Sequence, residues 1–349
     1  LQGQIILLIL MEIGGLGQMT MTLLLIAMFS KRVGLRQQVL AKEALGQEGS
    51  VNIVQLVKRI VLFALIAQLI GTAIMAIRWV PEMGWGHGLY VSFFHAVSAF
   101  NNAGFSLFAN NLIDYRDDPF ISLTIPALLI LGGLGFTVIV DLVRNRRWRK
   151  LKLHSKLMLL MTPGLLLLGT LMFWLLEHNN PATFGNAGPG GQLMAAFFQS
   201  ATARTAGFNT VDIGQMVPAS LLFMMMLMFI GAGATSTGGG IKVTTFAVVL
   251  LATRAFLTKR PHVTAFGRTL SPQIVTRSLA IIIVSTMVLM LAMFLLMLTE
   301  SQPFDKIMFE TVSAFATVGL STGITASLSE PGKLILVLVM ICGRLGPLT

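Results

Sequence analysis

The stretch FFHAVSAFNNAGFSL, residues 93–107, decides how the chain is read. Its first part is amphipathic, but too short and too polar to cross a bilayer, which takes about 20 predominantly apolar residues. It ends on Gly104. The pattern returns as AFFQSATARTAGFNTV at residues 196–211 and as MFETVSAFATVGLST at residues 308–322. Gly104, Gly207 and Gly319 recur at intervals of 103 and 112 residues. A long apolar run precedes each copy and another follows it. The repeating unit is therefore span, half-helix, extended glycine loop, span.

Composition identifies the solvent. Of 349 residues, 55% are hydrophobic and 11% charged, against about 25% charged in a soluble domain; mean hydropathy is +0.81. The runs at residues 5–29, 56–77, 120–143, 157–176, 274–298 and 334–345 are candidate membrane helices. The fold class is all-α polytopic membrane protein, with membrane–pore–membrane units arranged pseudo-fourfold around one central pore. The closing spans repeat as well: LGGLGF at 131–136, IGAGA at 230–234 and CGRLG at 342–346, with IGGLG at 13–17. Residues 1–30 thus read as the closing span of a first unit whose first span and pore loop are absent. Residues 56–145 form a second unit, 156–257 a third with a broken second span, and 272–349 a fourth whose closing span reads as truncated. No basic n-region or small-residue cleavage site marks a signal peptide at residues 1–29. Cys342, the single cysteine, excludes a disulfide framework or thiolate cluster within the chain and reads as a small buried apolar residue.

The formal net charge is +11, and eighteen of the 25 basic residues fall in three inter-span segments. These are Lys31, Arg32, Arg36, Lys42, Lys58 and Arg59; Arg144, Arg146, Arg147, Arg149, Lys150, Lys152 and Lys156; and Arg254, Lys259, Arg260, Arg268 and Arg277. By the positive-inside rule they are cytoplasmic. They are juxtamembrane and lack interleaved aromatics, so they suit anionic lipid or a cytoplasmic partner, not nucleic acid. Nine of the 14 acidic residues lie in the alternate segments: Glu82, Asp114, Asp117, Asp118, Glu177, Asp212, Glu300, Asp305 and Glu330. An acidic outer mouth would concentrate cations. Read blandly, these are ordinary loop acids.

Irregular backbone at membrane depth persists only where it lines a cavity or is buried in protein. Half-helices entering from outside aim their partially negative C-terminal ends at the membrane centre, which favours a cation. A glycine lets the backbone turn its carbonyl oxygens towards an ion, replacing hydration water. The candidate K⁺ filter positions are Asn102, Ala103 and Gly104; Thr205, Ala206 and Gly207; and Thr317, Val318 and Gly319. One such glycine would read as a helix C-cap, but three at matching places do not. In the third unit GAGATSTGGG, residues 231–240, breaks the closing span near mid-membrane. Gly231, Gly233, Ala234, Thr235, Ser236, Thr237, Gly238, Gly239 and Gly240, closed by Lys242, read as a mobile gating loop below the filter; the competing reading is a small-residue packing hinge. Arg344, a charge inside the last span, is costly enough to suggest pore electrostatics, or a partner such as Glu310. Lys242 either pins the loop to a carbonyl or carboxylate or snorkels to the cytoplasm. Glu12 has no assignable partner, and His87, His95, His154, His178 and His262 read as unremarkable.

These residues resemble the Trk/Ktr/HKT superfamily of K⁺ transporters, most closely the bacterial KtrB-type membrane subunits. The resemblance rests on FNNAGF (100–105), TARTAGFNT (202–210), FATVGLSTG (315–323), GATSTGGGIK (233–242) and GRLGPLT (343–349), and covers nearly the whole chain. It implies four units around one pore, a filter glycine in each, a gating loop in the third unit and an intramembrane arginine matching Arg344. It further implies a homodimer in the bacterial inner membrane, regulated by a cytoplasmic nucleotide-binding ring, with Na⁺ dependence in some members. No bound cofactor is implied, only K⁺ as the transported ion. The resemblance to four filters is incomplete, because the first filter loop lies outside this sequence.

Two other readings compete. A Na⁺-coupled symporter of a small organic solute also uses broken helices, but usually as two inverted halves. An intramembrane enzyme would need a catalytic constellation, and neither HExxH nor Gly-x-Ser-x-Gly nor a pair of intramembrane aspartates occurs.

Overall fold

The computed structural model describes residues 2–15, 53–234 and 236–345. Thr235, most of the first apolar run, the basic residues Lys31, Arg32, Arg36 and Lys42, and the end of the GRLGPLT motif lie outside them. The regular structure of the described residues is almost all helix. In order come α1 (Gln2–Gly15), α2 (Ile53–Met83), α3 (Trp85–Phe100), α4 (Pro119–Gly133), α5 (Phe136–Arg144), α6 (Leu153–Glu177), α7 (Pro189–Thr202), α8 (Pro218–Phe229), α9 (Val243–Leu257), α10 (Pro272–Thr299), α11 (Phe304–Phe315) and α12 (Glu330–Leu345). A two-residue hairpin pairs Thr264–Ala265 with Arg268–Thr269 between α9 and α10.

Three times a long apolar helix (α2, α6, α10) is followed by a short one (α3, α7, α11) and an extended loop. A single 3₁₀ turn then leads into the next helix, at Ile113–Tyr115, Ile213–Gln215 and Thr325–Ser327. Residues Lys58–Met83 of α2, and all of α6 and α10, are long and apolar enough to cross a membrane. Their outward faces carry exposed Leu62, Leu69, Leu167, Leu171, Met287 and Leu291. A surface this apolar is stable against lipid, not water; Cys342 of α12, expected to be buried, is exposed as well. The short helices are the opposite case: Ala96–Phe100 of α3, Phe198–Thr202 of α7 and Phe309–Phe315 of α11 are all buried. The core thus lies around the short helices and their loops, with the long helices as its wall.

The long acids at the outer ends act as structural clamps. Glu177, fully buried at the end of α6, accepts from Val217 N at 2.9 Å, Asn180 Nδ2 at 2.7 Å and Thr183 Oγ1 at 2.6 Å. It ties α6 to the start of α8. Glu300 ties α10 to α12 through Ser329, whose N–H and hydroxyl both donate to it. In the second unit Asp118 caps α4 at Phe120 N and Ile121 N while Arg78 reaches it at 2.7 Å. All three acids are engaged at helix junctions, and of them Asp118 is the one paired with a cation, Arg78.

One expected element divides. Residues 120–143 read as one span, yet α4 and α5 meet at 87°. The break falls at Gly135, whose φ of 88° ends the right-handed path before α5. Hydropathy records no such break, because both halves are apolar. A broken closing span is therefore shared by the second and third units.

Candidate functional site: three glycine turns and the loop beneath them

Each short helix runs directly into its glycine turn, so its C-terminal, partially negative end faces that turn. Asn102, Thr205 and Thr317 have φ of 52°, 71° and 52°; Gly104, Gly207 and Gly319 have φ of 73°, 80° and 88°. Ala103, Ala206 and Val318 between them stay at negative φ. In an ordinary strand successive carbonyls alternate sides. Alternating the sign of φ turns them towards one side instead. Left-handed φ at non-glycine residues costs of order 1 kcal/mol each, so the surrounding structure imposes this conformation three times over.

The three turns also meet. A Cβ added to Gly104 would lie 2.5 Å from the carbonyl oxygen of Ala206, and one on Gly207 would lie 2.5 Å from that of Val318. One on Gly319 would stand 3.6 Å from Gly207 Cα. The sequence-predicted triplets of all three units thus occupy one place. Among the described residues, none donates a hydrogen bond to the backbone carbonyls of these nine positions.

The 231–240 loop lies against this meeting point. The span ends at Phe229, and Gly231 N donates to Ile241 O at 2.9 Å, closing the loop at its base. Gly233 N donates to Gly133 O at 2.9 Å. Thr237 Oγ1 donates to Asn102 Oδ1 at 3.1 Å, and Asn102 Nδ2 to Thr205 Oγ1 at 3.5 Å. Side chains on Gly238 and Gly239 would strike Thr205 Oγ1 and Thr317 Oγ1, each at 2.1 Å. The loop therefore touches the first residue of all three triplets. Of the two readings for Lys242, the geometry is a pin: its Nζ donates to Gly238 O at 2.8 Å. Ser236 Oγ likewise donates to Gly233 O at 2.7 Å.

Arg344 departs from its expected partner. Its Nη1 donates to Thr237 O at 2.7 Å and its Nη2 to Gly14 O at 3.0 Å. It bridges α12, the loop and the end of α1. Glu310 faces its own loop instead, accepting from Ser321 Oγ at 2.7 Å, Thr322 N at 2.9 Å and Thr325 Oγ1 at 2.8 Å. Glu12 does have a partner, Asn101 Nδ2 at 2.7 Å. Arg204, beside the third-unit triplet, is buried and donates to Thr162 O at 3.4 Å.

Sequence reading missed several residues here. His95 is not unremarkable: it is fully buried, with Nδ1 on Val91 O at 2.8 Å and Nε2 on Ser106 Oγ at 3.0 Å. Gln199 holds Thr210 Oγ1 at 3.2 Å. Ser98, Thr202 and Ser313 grip the loops from inside their own helices. The repeated closing-span glycines find their reason as well. A Cβ on Gly132 or Gly343 would lie 1.9 or 1.7 Å from the carbonyl of Phe100 or Phe315, at the end of that unit's own short helix.

Residues 2–349 match the family described as TrkH, cation transport protein. The chain is 59% identical over 353 residues to the Ktr system potassium uptake protein B of Vibrio alginolyticus, covering all of this chain and 77% of the relative. It is 44% identical to the protein of the same name from Bacillus subtilis, covering 99% of this chain and 78% of that one. It is 37% identical to the potassium/sodium uptake protein NtpJ of Enterococcus hirae, at 99% and 78% coverage. The crystal structure of the potassium transporter TrkH from Vibrio parahaemolyticus shares the fold, with a TM-score of 0.71 at 20% identity over 88% of this chain and 66% of that one. Its converging glycine turns, its membrane-spanning helices and these matches make the chain a membrane protein that belongs to the TrkH family of cation transport proteins.

Proposed function

We infer that the chain conducts K⁺ into the cell through a filter lined by the carbonyls of Asn102–Gly104, Thr205–Gly207 and Thr317–Gly319. The observation that carries this is the convergence of three turns with alternating φ, whose nine carbonyls receive no hydrogen bond from the described residues. Carbonyls gathered at one place without donors suit a dehydrating cation as their partner. The helix ends behind them supply further negative potential. The 231–240 loop, docked on the first residue of each triplet, acts as the gate, with Lys242 and Arg344 holding it in place. Na⁺ enters as a coupling or competing ion, in keeping with the printed name of the Enterococcus hirae relative. Assembly as a homodimer in the bacterial inner membrane, beside anionic lipid and under a cytoplasmic nucleotide-binding ring, completes the proposal.

The test is K⁺ uptake, against Na⁺ and Rb⁺, by the full-length protein with its cytoplasmic partner in cells lacking their own K⁺ uptake. Saturable K⁺ and Rb⁺ uptake whose K⁺-over-Na⁺ preference weakens in Gly207→Ser is expected. No cation flux from correctly inserted protein would sink the reading.

A further inference from the structure

We propose that Ser98, Thr202 and Ser313 are positioning residues that set the geometry of the three carbonyl triplets, each by a two-point clamp. The proposal rests on the filter reading above.

Each of these residues holds its loop at two points, one within the triplet and one just after it. With its backbone carbonyl it accepts the N–H of the middle triplet residue: Ala103 N to Ser98 O at 2.9 Å, Ala206 N to Thr202 O at 3.0 Å, and Val318 N to Ser313 O at 2.9 Å. With its hydroxyl it donates to the carbonyl of the residue just after the glycine: Phe105 O at 2.8 Å, Phe208 O at 2.5 Å and Leu320 O at 2.6 Å. One side chain and its own peptide therefore hold both ends of a turn whose left-handed residues would otherwise relax. All three residues are buried, so no water competes for the hydroxyl.

The clamp has a chemical consequence for the ion. The carbonyl after each glycine is pulled back towards the helix, while the carbonyls of the triplet receive no hydrogen bond from the described residues. The boundary of the cation-facing ladder thus falls at the glycine in every unit. A second tie lies further along each loop, and its chemistry varies: imidazole at His95, amide at Gln199, carboxylate at Glu310. The first tie is a hydroxyl in all three. A ring of carbonyls discriminates ions only if its members keep matched positions, so the shared chemistry belongs where matching matters.

Sequence alignment conceals the equivalence. Ser98 and Ser313 sit six residues before their glycines, and Thr202 sits five before Gly207. The third unit leaves its helix by a four-residue return, Ala206 to Thr202, where the others use five-residue returns, Ala103 to Ser98 and Val318 to Ser313. One residue fewer in the return moves the clamp by one position and keeps its geometry.

The experiment compares Ser98→Ala, Thr202→Val and Ser313→Ala with Ser98→Thr and Thr202→Ser in the full-length transporter with its cytoplasmic partner, beside Gly207→Ser. The variants lacking the hydroxyl are expected to lose K⁺-over-Na⁺ preference by about fivefold each, the worth of one buried hydrogen bond, at normal membrane levels. The variants retaining it keep the wild-type ratio. Cysteine, which keeps the volume but donates weakly, replaces alanine or valine where the truncated protein fails to reach the membrane, and the same loss is expected. Wild-type ratios in the hydroxyl-free variants, with Gly207→Ser still altered, would overturn the clamp and leave the filter standing. An unaltered ratio in Gly207→Ser as well would overturn both.

Discussion

Arg344 Nη1 donates to the carbonyl oxygen of Thr237 at 2.7 Å, across 107 residues of chain. A charge-assisted bond of this kind contributes about 1.5–3 kcal/mol, and it holds the loop at the point where the loop meets the triplets. Arg344→Gln should therefore raise K⁺ uptake about tenfold or more in cells lacking the proposed cytoplasmic partner. Uptake still dependent on the partner would mean the arginine does not hold the gate shut.

Thr237 also docks the loop from its other side, through Oγ1 on Asn102 Oδ1. Thr237→Val keeps the shape and removes one neutral hydrogen bond, about 1 kcal/mol. A rise in uptake of about fivefold is expected, smaller than for Arg344→Gln. Shortening residues 231–240 should exceed both. Unchanged flux from a normally expressed shortened protein would argue for a packing hinge.

Gly132 and Gly343 leave no room for a methyl group, since the obstacle is backbone at 1.9 and 1.7 Å. Gly132→Ala and Gly343→Ala should each displace a short helix and reduce the yield of folded protein severely. Gly133→Ala is the control. Its nearest neighbour would be Asn102 Nδ2 at 3.6 Å, an ordinary contact, so size-exclusion profiles and thermal stability should stay near wild type.

Glu177 accepts three hydrogen bonds while fully buried. Glu177→Gln leaves at least one of the donors poorly matched, costing about 1–3 kcal/mol. A lowered unfolding temperature in detergent is expected, with K⁺-over-Na⁺ preference unchanged because Glu177 bonds to Asn180, Thr183 and Val217 and to none of the triplet residues. A changed preference at full stability would contradict the purely structural role.

The Arg116 guanidinium, donating to both carboxylate oxygens of Asp117, holds that carboxyl below the usual carboxylate range. A depressed pKa contributes stability above the unfolded value, about 3.9, and loses it as pH falls through the folded one. The difference in unfolding temperature between wild type and Asp117→Asn should stay flat from about pH 8 to 5 and vanish only below about pH 4. A difference that instead grew on acidification would reverse the sign.

The membrane, the repeat and the three triplets were legible in the sequence because each is local. Apolar runs report lipid contact, and a glycine after an amphipathic helix reports a turn at membrane depth. Residues 231–240 were legible for the same reason: consecutive small residues cannot continue a stable span. What stayed hidden depends on neighbours remote in the chain. Arg344 and Glu310 are both charges near the site, and hydropathy pairs them, yet Arg344 found backbone carbonyls and Glu310 found hydroxyls on its own loop. Gly135 looks like any other glycine in an apolar run until its φ of 88° bends the span. Ser98, Thr202 and Ser313 look like ordinary small polar residues of a half-helix, and their unequal spacing from the glycines defeats alignment.

Local chemistry therefore determined that this chain crosses a membrane in repeated units, and where its backbone must turn, because hydropathy and the φ preference of glycine act within a few residues. Which carbonyl, hydroxyl or charge each turn meets was decided only by the tertiary structure. Hydrogen bonds are satisfied by whatever donor packing brings within about 3 Å, and that neighbour is set by how the units close on one another.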